Sequence, residues 1–125
     1  MNVVDSSAWI EYFSNGPNAS FFAGAIQATD ELLVPSLTVY EVFKKVLREQ
    51  DETSALAMVA HMMQGRLVDL DATSAIAAAR LSLEENLPMA DAVILVAARS
   101  HDAVLWTQDA HFEGKAGVQY RHEKG

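Results

Sequence analysis

The stretch Asn2-Val3-Val4-Asp5-Ser6-Ser7-Ala8-Trp9-Ile10-Glu11-Tyr12-Phe13 decides the fold class. It opens apolar, turns polar at Asp5-Ser6-Ser7, and continues with aromatic residues at Trp9, Tyr12 and Phe13. The polar break suits a helix N-terminus, because Asp and Ser oxygens accept hydrogen bonds from free backbone N–H groups. Aromatic positions at i, i+3 and i+4 share one helix face. A strand feeding directly into a helix opens an α/β unit.

The rest of the chain repeats that alternation. Asn15-Gly16-Pro17-Asn18 breaks the first helix, and residues 19–29 predict a second. Leu32-Leu33-Val34 reads as the second strand, closed by Pro35. From Ser36 a helix carries Val39, Val42, Phe43 and Val46 on one face. The next carries Leu56, Val59, Ala60 and Met63, with Gly65 as its expected terminator. Leu67-Val68 is a brief third strand, and residues 73–86 form an alanine-rich helix. Pro88 suits the first turn of a helix running to about His101. Val104-Leu105-Trp106 and Val118-Gln119-Tyr120 complete the strands. This order predicts a parallel sheet covered on both faces, with right-handed crossovers. One domain spans 1–125, and its polar end, residues 121–125, is expected to fray.

Composition narrows the function. The 125 residues are 50% hydrophobic and 21% charged, which supports a packed core and excludes wholesale disorder. No apolar run approaches the roughly 18–20 residues of a membrane span, so no membrane association is expected. No signal peptide is read at the N-terminus. The absence of cysteine excludes disulfides, thiolate metal sites and a Cys nucleophile, and fits a reducing cytoplasm. The net charge of −8 argues against a protein that coats nucleic acid electrostatically. It leaves room for a nuclease whose phosphate contacts run through metal.

In an open α/β sheet, ligands bind beyond the carboxyl ends of the strands. Asp5 follows the first strand and Asp109 the fourth, while Glu41 and Asp91 begin helices. Each has a bland alternative. Asp5 and Asp109 suit helix caps, Asp91 gains from the helix dipole, and Thr38-x-x-Glu41 matches a capping box. Asp69 and Asp71 also follow a strand and are assigned no chemistry. Four carboxylates at one sheet edge would repel one another, and a hard cation such as Mg²⁺ or Mn²⁺ resolves that repulsion. With no cysteine and few histidines, zinc is not expected.

At these residues the sequence resembles the PIN-domain family, especially VapC-like ribonuclease toxins of bacterial toxin–antitoxin pairs. Val3-Val4-Asp5-Ser6-Ser7-Ala8-Trp9-Ile10 is similar to the family's first acidic motif and Pro35-Ser36-Leu37-Thr38-Val39-Tyr40-Glu41-Val42 to its second. Leu87-Pro88-Met89-Ala90-Asp91-Ala92-Val93-Ile94 resembles the third, and Leu105-Trp106-Thr107-Gln108-Asp109-Ala110-His111-Phe112 the fourth. The resemblance implies a three-layer sandwich with a parallel five-stranded sheet flanked by helices. It implies a metal-dependent endoribonuclease with one or two Mg²⁺ or Mn²⁺ ions per site. Asp5, Asp91 and Asp109 would be direct ligands, and Glu41 would act through a metal-bound water or orient the nucleophile. Ser6 and Thr107 match hydroxyl positions that would hold the carboxylates or a water. An antitoxin covering the cleft and a homodimer are also implied. Some relatives carry a further Asp where this chain has His111, which puts a second metal site in doubt and leaves His111 a water, phosphate or metal contact or a surface residue.

Lys44, Lys45 and Arg48 follow Glu41 on its helix, where Lys45 and Arg48 share its face. They are read either as a cationic rim for the RNA backbone or as an exposed face with a Glu41–Lys45 pair. Trp9, Tyr12, Phe13 and His61 are read as packing residues, and His101 as a helix-end residue. No hydrolase triad, Walker A or G-x-G-x-x-G motif occurs. Two other classes are carried forward. One is a phospho-receiver-like signalling domain. The other is a PIN-like binding module without catalysis.

Overall fold

The computed structural model describes residues 1–124; Gly125, the last residue of the expected fraying end, lies outside the described residues. Its centre is β1 (Asn2–Val4), flanked by β2 (Leu32–Pro35) and β4 (Val104–Thr107). β3 (Arg66–Val68) and β5 (Val118–Tyr120) lie at the edges, so the strand order is β3-β2-β1-β4-β5, all parallel. Receiver-type sheets run 2-1-3-4-5. The observed order overturns the phospho-receiver alternative.

Alternation along each strand sends successive side chains to opposite faces. Val3, Leu33 and Leu105 pack on α5 (Ala72–Glu85) and α6 (Met89–Ser100), with Leu81, Ile94 and Leu95. Val4, Leu32 and Val34 meet α1 (Ser6–Phe13), α2 (Ala19–Gln27), α3 (Ser36–Glu49) and α4 (Glu52–Met62) through Trp9, Phe22, Val42 and Met62. The result is the expected three-layer α/β sandwich. Single 3-10 turns occupy Thr29–Glu31 and Ala110–Phe112, so the helix read over 19–29 stops at Gln27. Trp9 stacks on Phe13 at 5.5 Å, and His61 meets the Phe13 ring edge-on at 5.6 Å, as packing residues should.

Two local readings are corrected. Gly65 does not end a helix, since α4 stops at Met62. Instead it lets the chain pass close to β2, where an added Cβ would lie 2.9 Å from the Leu32 carbonyl oxygen and the Val34 side chain. Thr38 is not a helix cap. It sits inside α3, whose N-cap is Pro35, and its Oγ1 donates 2.6 Å to the Pro35 carbonyl. The chain beyond β5 is held at its start: Arg121 N–H donates to the Thr107 carbonyl, the Arg121 guanidinium lies 4.1 Å from the Phe21 ring centre, and the His122 carbonyl accepts from Asn18 Nδ2.

Among the described residues no helix is long and apolar enough to cross a membrane.

Candidate active site

The strand order reverses between β1 and β4, because β2 and β3 extend one way from β1 and β4 and β5 the other. Such a switch point opens a crevice at the carboxyl ends of the strands. Asp5 immediately follows β1, and its N–H donates to the Trp106 carbonyl at 2.9 Å, locking it to β4. Asp109 lies just beyond β4. Asp91 is the third residue of α6, and Glu41 stands in the second turn of α3. The fold therefore brings all four predicted carboxylates to one crevice.

Asp5 is 2% exposed and holds the N-cap position of α1, but its side chain makes no capping bond. Its Oδ2 accepts from Ser7 Oγ at 2.7 Å and from Thr107 Oγ1 at 2.9 Å. The same Thr107 oxygen accepts from Asp109 N–H at 2.9 Å, so one buried hydroxyl ties the acids after β1 and β4 together. Asp109 also serves its bland role, since its Oδ1 accepts from His111 N–H at 2.9 Å and caps the 3-10 turn. Asp71 caps α5 through Ser74 N–H, in line with its exclusion from the chemistry.

Crowding shows in the titration of the acids. Burial pushes the Asp5 carboxyl up, against the Ser7 and Thr107 hydroxyls, and Asp109 adds repulsion. Burial also raises Glu41, with repulsion from Asp5, Asp91 and Asp109 and opposition from the Ser6 hydroxyl. Asp91 is pushed up to about 6 by burial first and then by Asp109 and Asp5, while His111 pulls it back. His111 is itself raised, chiefly by the Asp109 charge and by its bond to Asp91. Its Nδ1 lies 2.8 Å from Asp91 Oδ2 and 3.2 Å from Asp109 Oδ1.

These features fit a cation. Among the described residues, Asp91, Asp109 and His111 each offer a ligand atom within 4.8 Å of the others, and this group can hold a metal ion. Glu41 Oε1 is buried with no hydrogen-bond partner, an acceptor waiting for a donor or a charge. An oxygen-rich donor set of this kind suits Mg²⁺ or Mn²⁺.

Two predicted details differ. Besides the expected Thr107, Asp5 takes the hydroxyl of Ser7, which sequence reasoning missed, while Ser6 acts on Glu41. The signal was the Asp-x-Ser spacing, which lets a serine fold back on an acid two residues earlier. Lys45 pairs with Glu49 at 3.6 Å, not with Glu41. Arg48 approaches Glu49 at 3.9 Å, and Lys44 lies over the Tyr40 ring. Also unforeseen is a buried link at the crevice edge, where Asn18 Nδ2 donates to Gln108 Oε1 at 3.1 Å, beside Asp109.

Three open depressions adjoin the acids. One of about 400 Å³ is lined by Ser6, Ser7, Glu41, Lys45 and Gln108 among others. A second of about 550 Å³ shares Ser7 and Gln108 with it and reaches Asp109 and Tyr120. The third, about 230 Å³, shares Glu41 and Lys45 and adds Tyr40, Lys44 and Arg48. Shared walls make them one trough that runs past Glu41 and Asp109.

A family model described as PIN domain matches residues 3–118. A toxin–antitoxin complex from Klebsiella pneumoniae holds a similar chain, 22% identical, covering 95% of this chain and 96% of that one at a TM-score of 0.80. VapC20 from Mycobacterium tuberculosis, a sarcin–ricin-loop-cleaving toxin, is 14% identical over 93% of this chain and 95% of its own, with a TM-score of 0.76. DNA-bound VapBC from Salmonella typhimurium is similar at 17% identity, 98% coverage of both chains and a TM-score of 0.72. At these identities the likeness is one of fold. No curated protein matches the sequence.

Proposed function

Because the chain belongs to the PIN-domain family, we propose that it is a metal-dependent endoribonuclease and the toxin of a toxin–antitoxin pair. The observation that carries this reading is the meeting of Asp5, Glu41, Asp91 and Asp109 at the β1–β4 switch point, where burial first and mutual repulsion second raise Asp5, Glu41 and Asp91. Such repulsion is tolerated where a cation belongs. Asp5, Asp91 and Asp109 hold one or two Mg²⁺ or Mn²⁺ ions, and Glu41 acts through a water or orients the nucleophile. A bound ion of this type supplies an activated water and neutralises charge at the scissile phosphate.

The protein's own groups do the rest. Ser7 and Thr107 fix Asp5, Thr107 fixes Asp109 through its N–H, and Ser6 steadies Glu41. Lys44, Lys45 and Arg48 line the trough beside Glu41 and meet the RNA backbone. The trough, walled by Glu41 and Asp109, suits an extended single strand.

The cognate partner is an antitoxin that covers this cleft, and the chain works in the cytoplasm as a homodimer. The likeness to chains crystallised with antitoxins supports the partner.

Purified protein is expected to cut RNA with Mg²⁺ or Mn²⁺ and to stop in chelator. Asp5→Asn and Asp91→Asn are expected to lose about a thousandfold in rate while keeping a native circular dichroism spectrum. Cleavage at the wild-type rate by both variants would overturn the site. Metal binding without cleavage of any RNA would favour the non-catalytic binding module.

A further inference from the structure

We propose that His111 is itself a metal ligand, and that it tilts the site away from Mg²⁺ toward Mn²⁺ and other divalent transition ions. This rests on the reading of the acidic crevice as a metal site and specifies which metal that site prefers.

The first argument is geometric. In an octahedral site with bonds of about 2.1 Å, neighbouring ligand atoms stand about 3.0 Å apart. His111 Nδ1 lies 2.8 Å from Asp91 Oδ2 and 3.2 Å from Asp109 Oδ1, on either side of that spacing. His111 Nδ1 therefore stands at coordination-shell spacing from an oxygen of each carboxylate, and the ligand atoms of all three groups lie within 4.8 Å of one another.

The second argument is that the ring is placed by the fold. His111 N–H bonds Asp109 Oδ1, and the next residue, Phe112, is fully buried. The turn thus has an anchor on each side of His111. The imidazole is nonetheless 58% exposed. It contributes little to the core, so packing does not explain its aim at two carboxylates.

The third argument is chemical. Mg²⁺ takes oxygen ligands and dehydrates reluctantly, whereas imidazole suits first-row transition ions. An Asp at this position would keep the set all-oxygen. A His changes its softness without changing its reach, while Glu41 Oε1 remains a buried oxygen without a partner beside it.

The competing role for His111 is a counter-ion that swings out when a cation enters. Pulsed EPR of the full chain loaded with Mn²⁺ separates the two. A ¹⁴N coupling is expected in the wild type and is expected to vanish in His111→Ala. By calorimetry, His111→Ala is expected to lose about tenfold or more in Mn²⁺ affinity, with Mg²⁺ affinity changed by less than about threefold. His111→Asp is expected to bind Mn²⁺ without nitrogen coupling and to gain Mg²⁺ affinity, which also shows that the turn still folds. Mn²⁺ bound to wild type without nitrogen coupling, or equal losses for both metals, would overturn the inference while leaving the metal site standing. Failure of wild type to bind either ion would overturn both.

Discussion

Asp91→Asn is expected to make the metal-free protein more stable while ending its activity. Asp91 is 9% exposed and its carboxyl is pushed from 3.8 to about 6. That displacement corresponds to roughly 3 kcal/mol against the charged folded state. The sign comes from linkage. A carboxyl raised on folding contributes stability fully below its unfolded value of 3.8 and loses it as pH rises through about 6. At pH 7.5 the wild type therefore carries the whole cost. An asparagine keeps the shape and an oxygen for the His111 ring but removes the charge, and it gives up the ion pair with His111. The net gain expected in chelator is about 1–3 kcal/mol, or roughly 3–10 °C in Tm for a chain of this size. It shrinks to about half by pH 5, where most of the folded wild type is already protonated and only ionisation of the unfolded chain still carries the cost. Thermal melts of both proteins in chelator at pH 7.5, 5 and 4 test this. Excess Mn²⁺ should reverse the order, since a hundredfold excess over Kd adds about 2.7 kcal/mol to a protein that binds it. A variant less stable than wild type at pH 7.5, or equally favoured at pH 4, would refute the crowding argument.

Thr107→Val is expected to cost about 2–4 kcal/mol in urea unfolding, because it removes a donor to buried Asp5 and leaves Asp109 N–H without its acceptor. A neutral result would show that the hydroxyl does not tie the two acids. Gly65→Ala should cost about 1–3 kcal/mol through the clash with Leu32 and Val34, while a stabilised variant would mean the approach to β2 relaxes freely. Glu85 is held below its usual range by Lys115 and Arg99, so its contribution exists above its unfolded pKa and fades as pH falls. Glu85→Gln should then be less stable than wild type at pH 7 and indistinguishable from it at pH 3, by thermal melts.

The layers were legible because periodicity reports which face of an element is buried. Val3 and Val4 fall on opposite faces of β1, and Trp9, Val42 and Val46 mark the helix faces that cover it. The acids were legible because a strand end fixes the position of the next residue: Asp5 and Asp109 had to emerge at the sheet's edge. Local pattern does not carry distance. The family resemblance pointed to Thr107 as a hydroxyl for the carboxylates, but local pattern does not show that one oxygen would serve both Asp5 and the Asp109 N–H. Nothing near Gly65 announces Leu32 and Val34. Lys45 had two acids at helical spacing, Glu41 and Glu49. It pairs with Glu49, while Glu41 turns into the crevice beside Ser6 and the other carboxylates. Strand order likewise depends on pairings such as Val3 with Leu33 and Leu105. It separates this fold from a receiver only once those pairs are seen.

On the proposed ribonuclease reading, the net charge of −8 constrains how RNA can approach. Arg99 and Lys115 are both engaged by Glu85 at 3.1 Å, and Arg121 lies over Phe21. The cations that line the trough are Lys44, Lys45 and Arg48. The pairs of Lys45 and Arg48 with Glu49 are exposed and at the long end of contact, so they are worth little and exchange readily for phosphate. Three such contacts on a single strand give a salt dependence with a logarithmic slope of about −2. A protein that coats nucleic acid would be far steeper. RNA affinity measured against salt with the cleavage-dead Asp5→Asn chain is expected to track that shallow line, and Lys44→Ala with Arg48→Ala to flatten it further. A steep slope that survives both substitutions would place the substrate on a different face. On that reading, a shallow slope would make the acids and the metal proposed for them, rather than surface charge, the source of most of the grip on the scissile phosphate.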